Sequence, residues 1–376
     1  MPNRRQVPNG LAAGSARTTF KIASLPGDGI GPEVVAATIR VLAAVESSLT
    51  GVCLEWEEFA VGANAYLSQG DPLPLSVLES LRAFDAILLG AMGLPSVRWQ
   101  SGVEMTPQLD LREKLDLYCG LRPIFLFHGA DSPLRNQAAG SIDLLLVRES
   151  TEGLFSSRKA HPDPQSECVE DRLRITRPGA ERVIRAAFRE SLRRKRQLTL
   201  VDKANVLPSM AFFRRVFEEI APEYPDVRTE RMYVDAAALY LVQRPGTFDV
   251  LVTENMFGDI LSDLASGLVG GMGMAPSADI GERYAVFQPS HGSAPDIAGR
   301  GIANPVAAIL SGAMMLDWLG KEETRRGAAM IRAAVRKVFT DRRARTPDMG
   351  GNLSTVEMTD AILSAFPDDP GEGAPS

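Results

Sequence analysis

Short apolar runs alternate along most of this chain with stretches in which apolar residues return every three or four positions. Phe20–Leu25, Asp85–Ala91, Ile142–Val147, Gln197–Val201 and Phe248–Val252 read as buried strands. Helical spacing predicts helices over Pro32–Ser47, Leu75–Ala83, Pro107–Leu117, Pro178–Arg196, Pro208–Ile220, Asp235–Gln243, Pro305–Leu319 and Glu322–Thr340. Five of these open on proline, whose fixed φ suits a first helical turn. Strands alternating with helices predict an α/β fold with a largely parallel sheet. Residues 150–175 are polar and proline-containing and break the pattern, as a loop or a protruding arm. Residues 1–19 read as a disordered extension, since they lack the apolar core of a secretory signal. Residues 367–376 read as a disordered tail.

With 376 residues the chain has room for two domains. It is 45% hydrophobic and 23% charged, and no apolar run reaches the length of a membrane span. The net charge of −6 argues against a nucleic-acid partner. Cys53, Cys119 and Cys168 have no paired spacing and read as reduced thiols. The only histidines are His128, His161 and His291, too few for a multi-histidine metal centre. The expected location is the cytoplasm.

Candidate chemistry centres on Asp259 and Asp263. Four residues apart, they project from one helical face, where like charges cost a bare helix about 0.2–0.5 kcal/mol. Ile260, Leu261, Leu264 and Leu268 read as an apolar stripe beside them, so the pair sits at the edge of a buried face. Two carboxylates there are either exposed helix acids, one helping to cap the N-terminus, or ligands for Mg²⁺ or Mn²⁺. Gly27-Asp28-Gly29-Ile30-Gly31-Pro32 lies where a dinucleotide fingerprint would, but the third glycine of that motif would fall on Pro32. No acid ends a second strand at the ribose-binding distance, so the run reads as a tight turn and the fold as non-Rossmann. Arg112 lies on a helix, Arg122 follows it in Leu-Arg-Pro, and Arg148 ends an apolar strand. Guanidinium forks at such places suit a carboxylate substrate or a structural ion pair. Lys203 follows a strand, and Asp235 opens a helix as a possible N-cap. Together, three carboxylates, three arginines and a lysine could hold a metal-chelated polycarboxylate beside a base.

The motifs Leu25–Val34 (LPGDGIGPEV), Val201–Leu207 (VDKANVL), Phe257–Ala265 (FGDILSDLA) and His291–Pro305 (HGSAPDIAGRGIANP) extend the pattern. With them the chain resembles the β-decarboxylating dehydrogenases of isocitrate and isopropylmalate from Lys21 to about Phe366, isopropylmalate enzymes above all. The resemblance implies a two-domain fold with a mixed, largely parallel sheet. Residues 20–117 and 270–366 would form a cofactor-binding domain built from both termini. Residues 118–269 would form a dimerisation and metal/substrate domain with an arm near 152–175. It further implies a homodimer with shared sites. Metal would be held by Asp259 and Asp263, with Asp235 from the partner chain. A hydroxy-dicarboxylate would be bound by Arg112, Arg122 and Arg148, with Thr106, Gln108 and Asn205 nearby. Lys203, again from the partner chain, would handle the hydroxyl proton beside Asp235. The cofactor site would comprise Ile30, His291, Gly292, Ser293, Ala294, Asp296, Ile297 and Asn304. Asp296 would accept the adenosine ribose hydroxyls and repel a 2′-phosphate, which favours NAD. The implied reaction is oxidation at C2 of a 3-substituted malate, loss of CO₂ and protonation of the enol. For 3-isopropylmalate, in leucine biosynthesis, the product would be 2-oxoisocaproate.

Three positions depart from the family pattern. Phe155 stands where the usual acid is a tyrosine, with Ser156, Ser157 or a water as candidate replacements. Gln108 and Leu109 stand where isopropylmalate enzymes carry two leucines, and with Thr106 they suit a polar substituent such as that of tartrate, D-malate or an isocitrate-like acid. Gln288 stands where a glutamate is usual. A non-catalytic regulatory subunit is the alternative of another class, with Phe155 its best support.

Overall fold

Runs of Val, Ile and Leu buried on both faces build one ten-stranded sheet in the computed structural model, which describes residues 17–99, 102–159 and 165–366. Its strands are β1 (Thr18–Gly27), β2 (Val52–Glu58), β3 (Ala86–Ala91), β4 (Cys119–Phe125), β5 (Asp143–Glu149), β6 (Gln197–Asp202), β7 (Arg228–Tyr233), β8 (Val250–Thr253), β9 (Pro276–Ile280) and β10 (Ala285–Pro289). They lie in the order β2-β1-β3-β10-β9-β4-β5-β8-β6-β7. The pairings β10–β9, β9–β4 and β4–β5 are antiparallel, and the rest are parallel. The expected mixed, largely parallel α/β fold is therefore present.

The strand order sorts the chain into two halves. One half of the sheet draws on residues 18–91 and 276–289, the other on residues 119–253. Its apolar clusters sort similarly: one group joins Phe20, Leu88, Phe287 and Phe339, while others gather around Phe188 and Phe217 or around Leu251 and Leu261.

Several expected boundaries move. Thr18 and Thr19, expected in the extension, pair with Val52 and Cys53 inside β1. The rest of that extension up to residue 16, and the expected tail 367–376, lie outside the described residues. The helix expected to reach Leu117 ends at Lys114, and Asp116 adopts φ +52°. The one expected to reach Arg196 ends at Leu192, and Arg196 adopts φ +58°, which no helix accommodates. The arm region begins with a short 3₁₀ turn, Leu154–Ser157, and its strand-like return pairs Gly153 with Arg174.

The glycine run is a structural turn. Gly29 has φ +61°, and a Cβ there would lie 1.9 Å from the Ser293 carbonyl oxygen. The Ile30 amide donates to that same carbonyl at 2.8 Å. Asp28 is fully buried and accepts from the amides of Ala63, Asn64 and Gly93, so it ties three segments together. Among the described residues no helix is long and apolar enough to cross a membrane.

Candidate active site

The sheet's antiparallel centre brings distant arginines together. Arg122 lies on β4, Arg148 is the penultimate residue of β5, and Arg112 comes from the helix Pro107–Lys114. All three are buried. Arg112 and Arg122 share one acid, Asp279 of β9: Arg112 Nε donates to Oδ2 at 2.9 Å and Arg122 Nη2 to Oδ1 at 3.1 Å. Burial would push the Asp279 carboxyl up, but the charges of Arg112, Arg122 and Arg148 hold it at about 2. Sequence reasoning missed Asp279. Its signal was a lone acid in the otherwise small and apolar run Pro276–Ile280.

Arg148 leans against the helix Asn255–Gly267. Its Nε and Nη2 donate to the Asn255 side-chain oxygen at 2.9 and 2.6 Å, and Nη1 pairs with Asp259. Burial and the nearby Arg112 lower its guanidinium pKa to about 10, against the pull of Asp259. Asp263 follows one turn later on the same helix. Partial burial and then the charge of Asp259 raise its pKa, against Arg148 and Arg122. An aspartate whose ionisation is disfavoured by burial and by a second carboxylate one turn away belongs to a donor set that a hard divalent cation would relieve.

Two details of this helix differ from expectation. Neither aspartate caps it, because Glu254 accepts from the Met256 and Phe257 amides. Leu261 and Leu268 are buried as expected, but Ile260 is 59% exposed.

Lys203 and Asp235 meet each other rather than the aspartate pair. Lys203 Nζ lies 2.5 Å from Asp235 Oδ1, and this hydrogen bond lowers the Asp235 pKa. Asp235 is not an N-cap, since Tyr233 occupies that position before the helix Val234–Gln243. Among the described residues no three His, Cys, Asp or Glu side chains of this chain form a metal cage. Asn205 is exposed in the turn after β6.

The loop after β10 packs on the glycine turn. Ile30 is buried beside Val34, Ala303 and Ala308, with Ala294, Ile297 and Ala298 against them. Ser293 Oγ donates to the Gly93 carbonyl at 2.5 Å. Gly292 and Asp296 are exposed, and among the described residues nothing bonds the Asp296 carboxylate. His291 Nδ1 lies 2.9 Å from the Gly292 carbonyl, so it carries the proton and Nε2 is an acceptor, buried without a partner. Burial lowers that imidazole's pKa. An orphaned acceptor and a free carboxylate on one loop suit a polar ligand such as a nucleotide. Asn304 fits this less well: its amide donates to Asp348 at 3.1 Å, and its oxygen accepts from the Val306 amide.

Thr106 precedes the helix Pro107–Lys114 without capping it through its side chain. Gln108 has a buried side-chain oxygen with no partner. Phe155 lies over Arg148, its ring centroid 5.3 Å from the guanidinium carbon. The hydroxyls of Ser156 and Ser157 donate to the carbonyls of Gly153 and Arg172, so neither is a free acid.

The profile of the isocitrate/isopropylmalate dehydrogenase family matches residues 21–362. The 3-isopropylmalate dehydrogenase of Moorella thermoacetica is 46% identical over 338 residues, covering 88% of this chain and 93% of its own. That of Aquifex aeolicus is 41% identical, covering 92% and 96%. Among solved structures, isocitrate dehydrogenase from Methylococcus capsulatus superposes with a TM-score of 0.82 at 40% identity, covering 92% of this chain and 99% of its own. By sequence and by architecture, this chain belongs to the isocitrate/isopropylmalate dehydrogenase family.

Proposed function

We propose that the protein is an NAD-dependent, divalent-metal-dependent oxidative decarboxylase of a 3-substituted malate, 3-isopropylmalate first among them, acting in leucine biosynthesis in the cytoplasm. The observation that carries this reading is the gathering of three buried arginines at the sheet's antiparallel centre, with Arg148 paired to Asp259 one turn before Asp263. Relatives named 3-isopropylmalate dehydrogenase at 41–46% identity support the substrate.

In this reading Arg112, Arg122 and Arg148 bind the two carboxylates and fix the hydroxy carbon's position. Asp259 and Asp263 would hold Mg²⁺ or Mn²⁺, which when bound supplies Lewis-acid polarisation of the substrate oxygen. Lys203, oriented by Asp235, would take the proton from the hydroxyl oxygen, and NAD⁺, when bound, would supply the hydride acceptor for C2. The β-keto acid then loses CO₂ from C3, and the enol is protonated there. The loop His291–Asn304 with Ile30 would seat NAD, with Asp296 on the ribose and Ile297 against the apolar wall. The chain divides functionally into the cofactor domain (20–117 and 270–366) and the metal/substrate domain (118–269).

Two copies would share their sites. Leu239 and Val242 on the helix Val234–Gln243 and Ile260 on Asn255–Gly267 expose apolar surface on the helices that carry Asp235 and the aspartate pair. Covering that face with a second copy would bring Asp235 and Lys203 of one chain toward Asp259 and Asp263 of the other.

A second reading, a polar C3 substituent as in tartrate, D-malate or an isocitrate-like acid, is favoured by the unpartnered buried oxygen of Gln108. Left against an isopropyl group, that oxygen would cost about 1–3 kcal/mol. NADH formation across a panel of malate derivatives, with Mg²⁺ and with Mn²⁺, tests both readings. Highest kcat/KM on 3-isopropylmalate supports the first, and a hydroxylated or carboxylated derivative ahead of it supports the second. No turnover of any member refutes both.

A further inference from the structure

Asp279 is bonded more fully than an ordinary ion-pair partner. Each of its oxygens accepts twice: Oδ1 from Arg122 Nη2 at 3.1 Å and Ser150 Oγ at 3.3 Å, Oδ2 from Arg112 Nε at 2.9 Å and Gln288 Nε2 at 2.8 Å. The neighbouring strand makes room for it, since a Cβ on Gly120 would lie 2.6 Å from Ser150 Oγ and 3.1 Å from Asp279 Oδ1. Asp279 is fully buried and Gln288 nearly so.

The geometry also fixes which guanidinium edges are left over. Arg112 is held by Nε alone, and no protein group among the described residues engages its two terminal nitrogens. Arg122 has Nη1 committed to the Leu121 and Ala278 carbonyls and Nη2 to Asp279, so its plane is locked. A guanidinium anchored through Nε offers both terminal nitrogens to an incoming carboxylate in bidentate geometry. Without the anchor, ordering two long side chains would fall to the substrate's own binding energy.

We infer that Asp279 is a positioning residue for substrate: together with Gln288 it holds one buried negative charge that sets Arg112 and Arg122 for a substrate carboxylate. This rests on the reading of those arginines as substrate ligands. Gln288 supplies the neutral half of the pair. Because the two side chains share one hydrogen bond, Asp279→Asn with Gln288→Glu moves the charge one side chain over and reverses that bond. The new amide nitrogen then faces Arg112 Nε, which must pass to the new carboxylate, while the amide oxygen stays on Arg122 and Ser150.

That exchange is the test. Asp279→Asn should raise the KM for the hydroxy-dicarboxylate at least about tenfold, with the KM for NAD⁺ unchanged. Removing an anion also raises the positive potential of the pocket, so a lower KM would show that charge outweighs positioning and would overturn the inference. Asp279→Asn combined with Gln288→Glu should return the substrate KM to within about threefold of wild type, because one anion remains beside the same arginines and Arg112 Nε can pass to it. Should the single variant fail to fold, the double variant decides alone: a tenfold rise in its substrate KM overturns the inference. Arg112→Gln separates this from the underlying reading. An unchanged substrate KM in Arg112→Gln rejects the arginine site itself. A raised KM there, with Asp279→Asn unaffected, rejects only the positioning role.

Discussion

Lys203 Nζ and Asp235 Oδ1 lie 2.5 Å apart within one chain, away from the pair Asp259 and Asp263 on the neighbouring helix. In the proposed function, Lys203 after β6 with Asp235 on one helix, and the metal-binding pair on another, are completed into one site by a second chain. Leu239, Val242 and Ile260 are exposed on the same two helices, the face proposed above for that chain.

Complementation between inactive chains follows from this. Lys203→Ala and Asp259→Asn should each be inactive as homodimers. Mixed and exchanged, half of the dimers are hybrid and each hybrid has one intact site, so activity should return to about a quarter of wild type. Confirmed subunit exchange without any recovery would reject shared sites.

Metal dependence is the second expectation. Asp263→Asn replaces an anionic ligand with a neutral amide and removes the like charge that raises the pair's cost. It should fold at least as stably as wild type, yet lose metal affinity by more than the about 10–100-fold typical of an outer-shell change. Thermal melts and Mn²⁺ titration of the same sample separate the two effects. Full turnover after exhaustive chelation would rule the metal site out.

Two of the strands that patterning missed, β4 and β9, carry residues of the candidate site. Apolar runs announced β1, β3, β5, β6 and β8, of which only β5 has an antiparallel neighbour. β4 was hidden by Arg122 and Pro123, and β9 by Asp279, because these polar residues are buried against one another rather than placed in water. β7 was hidden by Arg228, Glu230 and Arg231 at the sheet's edge, where no neighbour covers it. Asp259, Asp263, Arg148 and Lys203 were legible because their motifs are local. Asp279 was not, since its partners Arg112 and Arg122 lie 167 and 157 residues away in sequence.

Cofactor choice should follow Asp296. Its exposed carboxylate has no protein partner among the described residues, so it is free to accept the ribose hydroxyls and to repel a 2′-phosphate. Wild type should favour NAD⁺ over NADP⁺ in kcat/KM. Asp296→Lys with Ile297→Tyr should move the ratio toward NADP⁺ by at least about tenfold, as one repelling charge becomes an attracting one. A wild-type preference for NADP⁺ would show that this loop does not read the ribose.

Phe155 bears on the last chemical step. Its ring sits 5.3 Å from the Arg148 guanidinium carbon, beside the residues proposed to bind substrate, yet it has no proton to give. Ser156 and Ser157 do not replace it, because both hydroxyls donate to backbone carbonyls. Hydride transfer should therefore outpace enol protonation, with NADH formed ahead of ketonised product. Phe155→Tyr adds one hydroxyl at the ring's edge and leaves the contact with Arg148 in place. General acid catalysis contributes about 10²–10⁴-fold to the step it serves, but kcat gains only as far as that step limits turnover. Rapid mixing that follows NADH and product ketonisation separately should show the second rate rising more than the first. If neither rises, the proton already comes from another group, and Phe155 serves to pack the pocket and hold Arg148 in place.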